Sequence, residues 1–216
     1  MYRMPTNIVP HANKSITVYG GGLIQVAPQV SRITIGIITE NTDLSIAQKE
    51  NAVIQQKLVN NLVNDGILRN NIQTVDYTIF PQYDYIDNNQ VFKGYQVKHM
   101  LSILVEDFNL TGSIIDLAVQ SGANQVTNIE FDVSNRNALY QQALQKAMEN
   151  ALMKAQAIAQ TFPSKLDPVP KKVSELPSNN TPIPLAKTQM NQFSTSIEGG
   201  QLTVEANLEV VFYLSP

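Results

Sequence analysis

Residues 72–106 read IQTVDYTIFPQYDYIDNNQVFKGYQVKHMLSILVE, and this stretch decides the fold. Two long extended runs, 72–85 and 91–106, the first dominated by β-branched and aromatic residues, are separated by Ile86-Asp87-Asn88-Asn89-Gln90. Asp and Asn accept the left-handed backbone of tight turns, so the stretch is predicted to be one long antiparallel hairpin. Pro81 cannot donate to a ladder, which marks the first strand as an edge, a bulge or a break. Six rings sit on this hairpin: Tyr77, Phe80, Tyr83, Tyr85, Phe92 and Tyr95.

Upstream, residues 1–13 carry Pro5 and Pro10 without periodicity and read as a loose arm. A strand follows from Ser15, with Ile16, Val18, the triplet Gly20-Gly21-Gly22, then Leu23, Ile24 and Val26 before Pro28. A phosphate cradle needs a helix start directly after its glycines, and here a strand continues. The triplet therefore implies a bulge or a close backbone approach. A second strand is predicted over 30–39, where Ile33, Ile35 and Ile37 alternate with Thr34, Gly36 and Ile38.

Thr42 or Asp43 can then cap a helix reaching about Asn64, with Ala47, Asn51, Ile54, Leu58 and Leu62 as its stripe, Val59 and Val63 widening it, and Gly66 closing it. Past the hairpin come a short helix over 109–121 ended by Gly122, and a strand over 126–133. The strongest helix follows over 135–161, with Tyr140, Leu144, Ala147, Ala151, Ala155 and Ile158 as its stripe. Six prolines, Pro163, Pro168, Pro170, Pro177, Pro182 and Pro184, make 163–193 a partly extended connection with room for a short strand over 168–174. In the last strand, 201–214, Leu202, Val204, Ala206, Leu208, Val210 and Phe212 alternate with more polar neighbours. The fold class is α+β: a long antiparallel sheet with two long helices and one short helix on one face. A faint echo relates the two units of helix, glycine and strand around Gly66 and Gly122.

At 216 residues the chain can bury roughly 70% of its unfolded surface, as one extended domain or two small interlocked ones. The organisation expected is an arm over 1–14 and one domain over 15–216. The absence of Cys excludes disulfide frameworks, thiolate metal sites and Cys nucleophiles. Fifteen Lys and Arg stand against eighteen Asp and Glu, with no basic block, so nothing here holds a phosphate backbone and nucleic acid is not an expected partner. Asn and Gln supply 40 residues while only 15% are charged, against about 25% in typical domains, so polarity rests on neutral amides. No run approaches the roughly 20 apolar residues of a membrane span. The opening residues also lack the apolar core of an export signal, which points to a cytoplasmic protein or to one whose leader was removed.

No catalytic constellation emerges. His11 and His99 lie far apart without an identifiable partner, and no Gly-x-Ser-x-Gly elbow occurs. Glu106-Asp107 precedes a helix, where a carboxylate caps free amides in preference to holding a metal. Asp84, Asp87 and Asn88 lack the spacing of a calcium loop and read as a solvated hairpin tip. No catalytic, cofactor or metal residue is assigned. The six rings remain, with three readings: core or sheet packing, a subunit interface, or a stacking surface for a small ligand or nucleic acid, the last disfavoured by the missing basic frame.

Ile16-Thr17-Val18-Tyr19-Gly20-Gly21-Gly22, Val26-Ala27-Pro28, Asn51, Gly66-Ile67 and Asn71-Ile72-Gln73-Thr74 form an ordered series. It continues through Pro81-Gln82-Tyr83-Asp84-Tyr85, Gly94-Tyr95, Gly112-Ser113-Ile114-Ile115-Asp116, Gly122-Ala123-Asn124, Ile129 with Phe131, and Tyr140 with Lys154-Ala155. In this order and spacing the chain resembles the SIMPL domain proteins, bacterial envelope proteins with eukaryotic signalling members. The resemblance covers residues 15–214. It implies long antiparallel strands with helices on one side, self-assembly as in some relatives, a protein partner, an envelope or stress role, and no known catalytic residues. Gln29 and the Pro-rich turn over 162–170 depart from the family's pattern. The expected function is non-enzymatic self-assembly or partner binding through the six rings, or small-ligand binding by the hairpin 77–95.

Overall fold

The computed structural model describes residues 14–177 and 195–215. The elements run β1 (Ser15–Val26), β2 (Val30–Asn41), α1 (Leu44–Asn64), β3 (Ile72–Ile86), β4 (Asn89–Val105), α2 (Thr111–Ser121), β5 (Gln125–Asp132), α3 (Arg136–Ala159), β6 (Lys165–Leu176) and β7 (Leu202–Ser215). The fold is α+β, with the strands divided between two antiparallel sheets ordered β1-β7-β6 and β3-β4-β2-β5. The described chain forms two compact units: residues 14–25, 135–177 and 203–215, and residues 26–134 and 195–202. His11, the arm before Lys14, Pro182 and Pro184 lie outside the described residues.

In the first unit, α3 packs against a core formed by Ile16, Val18, Leu208, Val210 and Phe212. Its buried residues are Ala143, Ala147, Ala151, Ala155 and Ala159, a ladder at every fourth position. Ile158, expected in the stripe, is 40% exposed, and Ala159 takes that place. The small side chains are required because the strand lies directly on the helix. A Cβ on Gly20 would stand 2.0 Å from the Ala147 carbonyl oxygen, and one on Gly22 would stand 1.9 Å from that of Ala143. The glycine triplet is thus a close approach within a continuous strand. Asn135 caps α3 by accepting from the Ala138 amide. The connection after it forms a strand from Lys165 to Leu176, longer than the prolines suggested. As an outer strand, β6 tolerates Pro168 and Pro170 where a central one would lose ladder bonds.

In the second unit, Ile33, Ile35 and Ile37 meet Leu58, Leu62, Leu101, Ile103 and Ile114 in one core. The Asp43 carboxylate caps α1, accepting from the Ser45 and Ile46 amides at 2.7 and 3.3 Å. Val63 faces out, narrowing the expected stripe. Asn51, buried within it, donates to the Ile37 and Val97 carbonyls at 3.0 and 3.2 Å and thereby ties α1 to β2 and β4. Gly66 and Gly122 take φ of 97° and 111° after α1 and α2, the conformation that favours glycine at a helix end. The echo they mark has a spatial counterpart: the strands that follow, β3 and β5, are the two outer strands of one sheet.

Candidate functional site

The hairpin β3–β4 turns on Asp87 and Asn88, whose φ values of 51° and 62° are those a tight two-residue connection needs. Pairing then runs Ile86 with Asn89, Tyr85 with Gln90 and Tyr83 with Phe92, before a shift at Lys93. Directly paired residues share a face, so the register assigns each ring to a side. Across β2, β4 and β3 the rows are Ile37, His99, Tyr77; Thr39, Val97, Ile79; and Asn41, Tyr95, Pro81. These rows lie on the side of Ile35 and Leu101, where α1 packs against β2 and β4. Along the first row, Ile37 is fully buried and Tyr77 is 48% exposed; along the second, Val97 is fully buried and Ile79 is 36% exposed. Helical cover therefore fades toward β3, and the helix-side face of the outer hairpin stays open.

The rings gather on that open face. Tyr83 and Phe92 meet edge-on at 5.8 Å, Phe92 and Tyr95 at 5.2 Å, and Tyr77 and His99 at 5.1 Å. Tyr85, two residues beyond Tyr83, is 76% exposed. Tyr77, Phe80, Tyr83, Tyr85 and Phe92 are all exposed and so do not belong to the core, although Tyr83, Phe92 and Tyr95 pack on one another along the sheet. Phe80 pairs with Gln96 and belongs to the opposite side, which also holds the charged residues of the hairpin. There Asp76 pairs with Lys98 at 3.3 Å, and Glu40 accepts from Gln82 and Gln96 at 3.0 and 2.6 Å. Those two amide bonds hold the Glu40 carboxyl below its usual range, Gln96 contributing most. The ion pair of the hairpin thus lies opposite five of its six rings, Phe80 being the exception.

His99 occupies an ordinary strand position. Its Nε2 lies 3.0 Å from the Thr74 hydroxyl, and burial lowers its pKa below the ordinary value. Glu106 accepts from Asn71 at 2.9 Å, and Asp107 caps the turn before α2 by accepting from the Asn109 amide at 3.0 Å. Among the described residues, no group of three or more acidic or histidine side chains is placed to hold a metal ion. Sequence reasoning missed a cleft in the second unit, where residues near 28, 107 and 199 converge. Its only linear signals were the pairs Ala27-Pro28, Glu106-Asp107 and Gly199-Gly200, each commonplace alone.

The family model of SIMPL, described as protein of unknown function (DUF541), matches residues 16–212. The chain belongs to the SIMPL family. It is 23% identical over 206 residues to the uncharacterized protein YggE of Escherichia coli (strain K12), covering 93% of this chain and 83% of that protein. It is 26% identical over 209 residues to the 26 kDa periplasmic immunogenic protein of Brucella melitensis, covering 91% and 83%. It is also 26% identical over 204 residues to YggE of Edwardsiella ictaluri, covering 91% and 85%. None of these relatives carries an enzymatic name. The cytoplasmic reading of the sequence gains no support from them, whereas the exported alternative fits the name of the Brucella relative. No helix among the described residues is long and apolar enough to cross a membrane.

Proposed function

We propose that this SIMPL protein is a non-catalytic assembly module in which the open face and outer edge of the β3–β4 hairpin bind a second copy of the chain. One observation carries the reading: Tyr77, Ile79, Tyr83, Tyr85 and Phe92 remain exposed on one hairpin whose opposite face holds the ion pair. β3 is an outer strand of its sheet. An outer strand presents unpaired amides and carbonyls, and antiparallel pairing of two identical strands about a two-fold axis satisfies both at once. The rings would supply the apolar centre of such an interface, and aromatic residues are the type enriched there. An exported location accompanies the proposal, supported by the periplasmic name of the Brucella relative.

Light scattering after size exclusion, over a range of concentrations, tests it. The wild type is expected as a defined oligomer. Tyr83→Ala combined with Tyr85→Ala should shift it toward monomer with an unchanged circular dichroism spectrum, because both side chains are exposed. An unchanged native mass in that variant, or a wild type monomeric throughout, removes self-assembly through this hairpin. A small ligand bound by the same rings is the second reading, favoured by the contiguous edge-on contacts Tyr83–Phe92–Tyr95. It predicts thermal stabilisation in a metabolite screen, by mass action, with no change of mass.

A further inference from the structure

The second unit contains a cleft of about 970 Å³, at the upper end of the range for small-molecule sites. Three chain segments build it: the turn after β1, the turn between β4 and α2, and the stretch before β7. Its wall is apolar and tightly made. Phe108 is set edge-on against Phe131 at 5.4 Å, and a Cβ on Gly199 would come within 2.3 Å of Pro28 and 2.7 Å of the Phe108 ring, so the Gly199 backbone lies directly on both. Around this wall stand Glu106, Asp107 and Glu198, and among the described residues no Lys or Arg lines the cleft. Each carboxylate keeps spare acceptor capacity, because Asn71, Asn109 and Ser196 respectively engage one oxygen only. The three do not form a group that could share a metal ion. What matches an aromatic wall with separated negative charges is a cation larger than a metal and carrying its own apolar body.

We propose that this cleft binds an organic ammonium ion with a flat apolar group, the ring lying against the wall that Pro28, Phe108 and Gly199 form together and the cationic nitrogen facing Glu106, Asp107 and Glu198. An ammonium ion gains from both a carboxylate and the face of an aromatic ring, whereas an anion would be repelled and a neutral analogue would gain neither charge contribution. The proposal is independent of hairpin assembly, since none of the six hairpin rings lines the cleft.

Calorimetric titration of the full chain with benzyltrimethylammonium, benzyl alcohol and phenylacetate tests it. The cation is expected to bind at least about tenfold more tightly than the alcohol, with phenylacetate weakest of the three. Glu198→Gln and Glu106→Gln keep an acceptor for Ser196 and Asn71 and remove only charge, so the fold should persist by circular dichroism. Each should weaken the cation by about threefold, and the pair by about tenfold, leaving the alcohol unchanged. Phe108→Leu should narrow the preference for the cation over the alcohol by about threefold. Equal binding of cation and alcohol, no measurable binding of any probe, or wild-type affinity in the doubly substituted chain overturns the proposal.

Discussion

Gly20, Gly21 and Gly22 are adjacent in sequence yet should respond differently to the same methyl group. At Gly20 and Gly22 a Cβ meets helix backbone at about 2 Å, and backbone cannot turn aside. Gly20→Ala or Gly22→Ala should cost at least about 3 kcal/mol, measured by denaturant titration. Gly21→Ala meets only the Asn207 side-chain oxygen at 3.3 Å and should change stability by less than about 1 kcal/mol. His99 gives a pH dependence with a definite sign. Burial lowers its folded pKa, so the unfolded chain binds the proton more tightly. Stability is then full above the unfolded value of about 6.5 and declines as pH falls from there toward the folded value. Glu40, also lowered, adds a loss of the same direction through the carboxylate range. His99→Gln should flatten the upper part of the stability profile, and an unaltered slope between pH 7 and 5 would refute this assignment. His99 was read correctly as a strand residue. Its partners, Thr74 and Tyr77, come from the neighbouring strand and could be named only from the register.

At the scale of elements, the start of α1 was legible because capping is local chemistry. Asp43 stands within three residues of the amides it binds, whereas the cap role of Asn135 emerged only from the structure. Asp43→Ala should cost about 1 kcal/mol by thermal denaturation, lowering Tm by about 2–4 °C. The hairpin turn was legible for the same reason, since Asp87 and Asn88 suit positive φ by their own side chains. The buried stripe of α3 was legible only approximately: periodicity located the face, but which positions had to be alanine depended on glycines about 120 residues earlier in the chain. Ala151→Leu should destabilise by about 2 kcal/mol or more, because its Cβ already lies 2.8 Å from where a Gly20 Cβ would stand. A fully accommodated leucine, with unchanged unfolding midpoint, would show that β1 can lift from the helix.

For the molecule as a whole, the order of chain segments argues for cooperativity. The first unit draws on three separated stretches and the second on two, so neither can be excised as a continuous piece. The chain should accordingly unfold in one calorimetric transition, and two resolved transitions would mean that the units are thermodynamically separate. The amino-acid sequence by itself determined the α+β class, the succession of elements, the cap of α1 and the turns, and membership of the SIMPL family, because all of these depend on residues near one another or on their order along the chain. Tertiary structure alone decided that the strands divide into two sheets, that helical cover fades before β3 and leaves its rings exposed, and that Pro28, Phe108 and Gly199 wall one cleft. The alternation of a strand states which residues share a face. It does not state which strand lies beside it or where a covering helix stops, because pairing and packing join groups far apart in the chain.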